Sequence, residues 1–451
     1  MTISELRISG DFVVASALDQ RGLYGGLGGS PPLIVWHSKD KIAGTPDLIP
    51  TGESGLPDFA DSNGLTVSAF ASPTFAINPT TKTIFAADIS MGSFGTVAEN
   101  DAGIFVTTAP DLEGTACGGA TEGKSKNAAC FPIAFSGFSS TFNVTAGSGI
   151  QILQVASATD SAQSFFMAFL ARPLSTGNPF IDMLQCKEPV TGSSSCTPLG
   201  GVAAGTATNP IAGFSLTAPA GGSNVFVAYA QGGPTSQTLN VVKCTVGFPS
   251  SPSCGTPTQV TTFTPVVTIP GQAFSPSFTP DIAGDSSDLF LSFDGCGRGS
   301  EPFTTPFKSH ECARSQINVF VSTDGATSWS PYTLPTLTGI QYLPSVTVDS
   351  ATGNFFLSYL STGKDATFQS FVPTVAVIPA SLGPATIIPL TAKPIDPSAG
   401  FSGGDSIWSA PTGSIFNGIG YEGVDSIVQG NWGANVNLPK ETNVVLRFTS
   451  Q

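Results

Sequence analysis

Short apolar runs recur along this chain, each bounded by turn-forming residues. Ser164-Phe165-Phe166-Met167-Ala168-Phe169, Asn224-Val225-Phe226-Val227-Ala228-Tyr229, Asp288-Leu289-Phe290-Leu291-Ser292-Phe293 and Asn354-Phe355-Phe356-Leu357-Ser358-Tyr359 are nearly continuous in apolar residues and rich in Phe. Runs of this length without polar alternation predict strands buried on both faces. A weaker strand and a tight turn precede them, as in Ser345-Val346-Thr347-Val348 before Asp349-Ser350-Ala351-Thr352-Gly353, or Phe75-Ala76-Ile77 before Asn78-Pro79-Thr80-Thr81.

Downstream comes a variable connection and then a hairpin that the chain writes several times. Ile181-Asp182-Met183-Leu184-Gln185-Cys186 leads through nine turn-type residues to Cys196, and Leu239-Asn240-Val241-Val242-Lys243-Cys244 through nine more to Cys254. Where the next copy falls, Ile317-Asn318-Val319-Phe320-Val321 runs instead into Ser322-Thr323-Asp324-Gly325-Ala326-Thr327-Ser328-Trp329. Each unit thus reads as strand A, a tight turn, strand B, a connection, strand C, a hairpin and strand D. Units open near Leu6, Ser72, Ile150, Gly213, Ser275 and Leu343, with a last irregular one after Gly403. A four-stranded unit every roughly 60 to 80 residues predicts an all-β fold, a β-propeller of antiparallel blades. Seven blades are favoured over six or eight, in one domain spanning 1–451. Two β-sandwich domains would need a linker, and no boundary of changed composition appears.

Composition sets the surface and the compartment. Only 11% of residues are charged, against a usual share of about 25%, so neutral polar side chains and turns must cover the exterior. The 33 Phe and 40% hydrophobic content supply a large core, which argues against disorder. A formal charge of −14 makes nucleic acid an improbable partner. No apolar run is long enough to span a bilayer, and no signal-peptide core opens the chain, so the export signal is expected outside this sequence. The sequon Asn143-Val144-Thr145 is compatible with secretion.

Eight cysteines fall in four close pairs: Cys117 with Cys130, Cys186 with Cys196, Cys244 with Cys254, and Cys296 with Cys312. Two pairs flank equivalent hairpins, where antiparallel neighbours bring Cβ atoms within bridging distance. With only two histidines, His37 and His310, and no Cys-x-x-Cys, zinc is disfavoured. Local disulfides point to an oxidising, extracellular or cell-surface location.

The stretch from Ser322 to Trp329 resembles the Asp-box (BNR repeat) of the sialidase-like β-propellers, Ser-x-Asp-x-Gly-x-Thr-Trp on the hairpin between strands C and D. Ser322, Asp324 and Trp329 match in place, while Ala326 stands where Gly is usual and Ser328 where Thr is usual. A degenerate echo, Ser38-Lys39-Asp40, follows an early strand. The expected role is structural, with Asp accepting turn amides and Trp packing between adjacent sheets. The resemblance implies a sialidase-like propeller but does not carry sialidase chemistry across, because the Arg-Ile-Pro signature is missing and the chain has six arginines in all.

In a propeller the A–B and C–D turns lie at one end, and the B–C and D–A connections at the other, around the channel mouth. The long fifth-unit B–C segment carries Asp294, Arg298, Glu301, Lys308, His310, Glu311 and Arg314, with Cys296 and Cys312 expected to bridge its base. Arg21 and Tyr24 follow strand B of the first unit, and Arg172 that of the third. Arg21, Arg172 and either Arg298 or Arg314 are candidates to grip an anionic group bidentately, unless they merely pair with local carboxylates. Asp88, Glu99 and Asp101 are a candidate calcium set without the spacing of a defined calcium loop; no other cofactor is expected. Tyr229, Tyr359 and Tyr421, near the ends of B strands, either present hydroxyls to the channel or pack. The sequence therefore predicts a secreted propeller for a glycan or extracellular protein ligand, with cell adhesion in view. The rival readings are a sialidase-like glycoside hydrolase or lyase, and a structural subunit of an extracellular layer or fibre, since low charge permits self-association. The C-terminal Thr442–Phe448 run is expected to act as a closing strand or to pair with a neighbour, the closing strand being the simpler view.

Overall fold

The computed structural model describes strand backbone between residues 2 and 449, and side chains for residues 74–78, 80–85, 152–160, 164–190, 195–219, 223–233, 235–246, 253–265, 280–284, 287–295, 315–335, 339–341, 343–349, 352–363 and 372–390. Among the described residues the regular structure is all β. Strands pair antiparallel in sequence order within each sheet, as in Ile150–Thr159, Ser164–Pro173, Phe180–Lys187 and Cys196–Ala204. Among the described residues, seven sheets of three or more strands follow one another, beginning with Thr2–Ser9, Thr74–Ile77, Ile150–Thr159, Ile211–Thr217, Asp281–Gly284, Gln341–Val348 and Asn417–Glu422, besides a two-stranded pairing of Phe59–Ala60 with Thr66–Val67. Five of them have four strands, the fourth has five, and the last has three. These first strands touch their neighbours in chain order, and Asn417–Glu422 lies against Thr2–Ser9 again. Antiparallel sheets whose inner strands meet in a ring are the blades of a β-propeller.

The doubly apolar second strands explain why the blades stack. Along Ser164–Pro173, Phe165, Met167 and Phe169 enter a core shared with Ala76 and Phe85 of the second sheet. The alternate residues Phe166, Ala168 and Leu170 enter another core with Phe214, Val225 and Val227 of the fourth. A period of two in a strand sandwiched between two sheets leaves no face for water, so the polar alternation disappears. The same division recurs in the fifth sheet, where Leu289, Leu291 and Phe293 pack towards the fourth and Phe290 towards the sixth. Aromatic rings seal these gaps: Phe85 stacks on Phe165 at 4.5 Å, and Phe290 on Phe355 at 3.6 Å. Each such fully buried side chain contributes about 1.5 to 3 kcal/mol.

The hairpin end is tied down as the repeat suggests. Cys186 and Cys196 are directly paired across their strands and bridged, as are Cys244 and Cys254. In the fifth sheet, Asp324 does the equivalent work with hydrogen bonds. Its carboxylate accepts from the Thr327 and Ser328 amides at 3.0 and 2.9 Å, and from the Ser328 and Ser322 hydroxyls at 2.6 and 2.8 Å. Ser322 Oγ in turn accepts from the Ala326 amide at 2.9 Å. These bonds hold the Asp324 carboxyl down at about 2. Gly325 and Ala326 both sit in the left-handed region, at φ +67° and +70°. Hence the usual residue at the second position is glycine, and Ala326 is strained there. Trp329 packs against a core formed by the fourth and fifth sheets, between the two blades.

Two expectations shift, while the expected opening of the fifth unit near Ser275 lies outside the described residues. Tyr421 falls in the first strand of the last sheet, Asn417–Glu422, not after a second strand. The C-terminal strand Thr442–Thr449 pairs with Asp425–Trp432 as the third strand of that sheet.

Candidate functional site

At the end opposite the hairpins, the inner strands share an irregularity. A bulge breaks the pairing between Ile152 and Gln154, between Ile211 and Gly213, and between Tyr342 and Ser345. A bulge adds an unpaired residue and swings the local amides out of the ladder, a device common beside functional clefts. Polar side chains from the adjacent inner strand take up these neighbourhoods. Gln154 donates to the Phe214 carbonyl at 2.7 Å and accepts from its amide at 3.2 Å, joining the third and fourth sheets. Asp281 accepts from the Val346 amide and the Ser345 hydroxyl, both at 2.8 Å, joining the fifth and sixth.

Asp294 makes a third such tie. It lies in the strand Leu289–Cys296, and its Oδ2 accepts from the Leu343 amide of the sixth sheet at 3.2 Å. Leu343 is a bulge residue at φ +54°, a conformation that costs a side chain of this size about 1 kcal/mol or more and persists only when bonded in place. Asp294 is 3% exposed, and burial pushes its carboxyl up to about 6 despite the amide bond. A second carboxyl behaves alike: Asp182, half-buried in Phe180–Lys187, is pushed up to about 6 by burial, against the bond from the Met183 amide. Asp182 shares a strand face with Phe180 and Leu184, which pack towards the second sheet. The two raised carboxyls therefore lie in different gaps and do not form an acid and base pair across one pocket.

Of the residues that the sequence singles out, Arg172 is exposed near the end of Ser164–Pro173, paired with Gln151, and the exposed Leu174 follows it. Asp294 is placed at the root of the fifth-sheet connection, turned into the gap between blades. Arg21, Tyr24, Arg298, Glu301, His310, Glu311 and Arg314 lie outside the described residues, as do Cys117, Cys130, Cys312 and the side chains of Cys296, Asp88, Glu99 and Asp101. Tyr229 and Tyr359 are buried within cores and do not present hydroxyls to a channel; burial pushes both phenols up. Sequence reasoning passed over Asp182, Asp281 and Gln154. Asp182 had a legible signal, a carboxylate between the two buried residues Ile181 and Met183. Among the described residues no three His, Cys, Asp or Glu side chains come together as a metal-binding group, and no helix is long and apolar enough to cross a membrane.

No protein-family model matches the chain, and neither does any curated protein sequence. Among solved structures it is similar to the polysaccharide lyase Uly1, at 8% identity and a TM-score of 0.49, over 99% of this chain and 90% of that one. A Hadza microbial sialidase aligns at 11% identity and a TM-score of 0.43, over 80% of this chain and 63% of its own. The β-propeller domain of the Trilobed protease from Pyrococcus furiosus aligns at 8% identity and a TM-score of 0.41, over 99% and 94%. The chain thus spans less than two thirds of the sialidase's length, and at these identities each likeness concerns overall shape alone.

Proposed function

We propose that this chain is a secreted seven-bladed propeller, a single domain over 1–451, that binds a glycan on its B–C loop end. The observation that carries the reading is the division of labour between the two ends of the blades. The two disulfides among the described residues and the Asp324 turn close one end. The other has bulged inner strands, exposed Arg172 and the root of the charged 294–314 segment. A surface poor in charge and rich in Ser, Thr, Asn and Gly suits a ligand made of hydroxyl groups. Bidentate guanidinium contacts would add selectivity for sugars bearing a carboxylate or sulfate. Glycoside hydrolysis or lysis is the less supported alternative, because among the described residues the two carboxyls that burial pushes up, Asp182 and Asp294, sit in separate gaps rather than across one pocket.

The test is a glycan array probed with the intact chain, followed by titration of any hit against Arg172→Ala and the double change Arg298→Ala with Arg314→Ala. Binding weakened by about tenfold or more at unchanged melting temperature supports the reading. Absence of binding across neutral, carboxylated and sulfated glycans, or arginine variants that bind as well as the parent, would sink it.

A further inference from the structure

At the loop end of the gap between the fourth and fifth sheets, apolar packing gives way to carboxamides. Leu289, Leu291 and Phe293 face the fourth sheet, and the strand period of two puts Gly295 next in that row. On the adjacent strand Ser315–Ser322, Phe320, Asn318 and Gln316 are paired with Leu291, Phe293 and Gly295 and share their face. The opposite wall changes at the same end. Leu239 and Val241 of Gln237–Thr245 pack towards the fifth sheet, and the same period adds Gln237, which is paired directly with Phe263, the last residue of Thr258–Phe263.

Gly295 lets the two walls meet. A methyl group on it would lie 3.2 Å from Asn318 Nδ2 and 3.4 Å from Phe263 Cδ2, so side chains from both blades converge on this glycine. Phe263 leans on Phe293 with ring centroids 4.6 Å apart, and it is only half-buried, so part of its ring meets solvent. Asn318 is half-buried too; its Nδ2 donates to the Gln316 carbonyl at 3.1 Å, and its Oδ1 is left as an acceptor. Gln237 opens its strand directly after the connection at 233–236, yet it is 5% exposed and its Oε1 meets no hydrogen-bond partner. A buried acceptor without a donor is costly, and native interiors keep few of them. The terminal torsion of a glutamine is broad, so a donor arriving at the mouth of the gap can draw that oxygen towards itself.

We propose that this place is a subsite for one uncharged pyranose unit of a glycan, with Phe263 under the C–H face of the sugar and the Gln237 and Asn318 side-chain oxygens accepting from hydroxyls on either side of it. The inference rests on the glycan reading and locates one sugar within it, on third and fourth strands that lie outward of the ring of inner strands and hence off the channel axis. Paired residues on adjacent strands stand about 5 Å apart, which sets Gln237 beside Phe263, while Asn318 reaches Phe263 over Gly295; one sugar thus meets all three. An aromatic surface with a few fixed polar groups is the usual make-up of a small-molecule site. None of the residues here carries a charge, and two acceptor oxygens would repel a carboxylate, so the chemistry selects a neutral sugar over an acidic one.

The intact chain is titrated calorimetrically with uncharged oligosaccharides of glucose, galactose, mannose and xylose, and with uronic-acid oligosaccharides as their charged counterpart. At least one uncharged series should bind, and bind more tightly than the charged one. Phe263→Leu, which keeps an apolar side chain against Phe293, should weaken that binding about tenfold. Gln237→Met should weaken it by a similar factor and at the same time raise the melting temperature of the free chain, because the unpartnered acceptor is gone. A glutamine that is merely structural, or satisfied by ordered water, would instead lose stability on this change and leave the affinity as it was. Should Phe263→Leu fail to fold, Gln237→Met decides. Uncharged sugars bound equally by the parent and both variants, or binding of the uronic-acid series alone, overturn the subsite and leave the glycan reading standing. No binding in either series overturns both.

Discussion

The hairpins of the third and fourth blades and the hairpin of the fifth occupy the same place in the repeat and are closed by different chemistry. Two carry a disulfide across directly paired residues, Cys186 with Cys196 and Cys244 with Cys254. The fifth has Asp324, whose carboxylate gathers two amides and two hydroxyls while Trp329 fills the space between sheets. A covalent bridge acts chiefly on the unfolded chain, and by the entropic account it needs nothing from its neighbours. A turn carboxylate acts in the folded state only, and depends on its charge and on a backbone bent into the left-handed region. One position in a blade thus asks only for closure, and the sequence is free to choose the means.

The largest effect should come from removing a bridge. Replacing Cys244 and Cys254 together with Ala should cost about 2 to 3 kcal/mol, because the closed loop is short. Denaturant melts under oxidising and reducing conditions should differ for the parent and coincide more closely for the variant. An unchanged midpoint would mean that the hairpin is held by its ladder alone.

Charge sharpens the contrast through pH. Asp182, in the strand leading to Cys186, has its carboxyl raised from 3.8 to about 6 by burial. Its folded form therefore prefers the proton, so the associated stability is full below about pH 4 and is lost as pH rises through 6. A shift of two units sets a ceiling of about 3 kcal/mol, and partial solvent access reduces it to about 1 to 2 kcal/mol. Asp182→Asn should accordingly stabilise the chain at pH 7 and flatten its profile between pH 4 and 7. Asp324 runs the other way. Lowered to about 2, its contribution is present above about pH 4 and disappears as pH falls towards 2, so Asp324→Ala should destabilise at neutral pH and leave little difference at pH 2. Melting curves from pH 2 to 8 for the parent and both variants read all of this; parallel curves would refute the assignment of either carboxyl.

The smallest effect should be at Ala326. Glycine there relieves a left-handed backbone worth about 1 kcal/mol but deletes a buried methyl group worth about 0.8 kcal/mol. Ala326→Gly is thus expected to stay within about 0.5 kcal/mol of the parent in a denaturant melt. A large loss would show that the methyl matters to packing beyond its area.

What the sequence by itself determined was local and periodic. The continuous apolar second strands, the cysteine spacing and the Asp324 turn were legible because each depends on neighbours a few residues away or on a strand period of two. The tertiary structure alone decided which side chains face one another across a gap. Asp294 reads in sequence as the first residue of a ligand loop, yet it is buried against the Leu343 amide 49 residues further on. Ser292 and Tyr359 read as incidental polar residues in apolar strands, and only the packing of the fifth sheet on the sixth withdraws both wholly from solvent. The reason is physical: strand periodicity specifies that a residue is buried on one face, while the partner on that face comes from another blade, at a distance along the chain that no local pattern encodes.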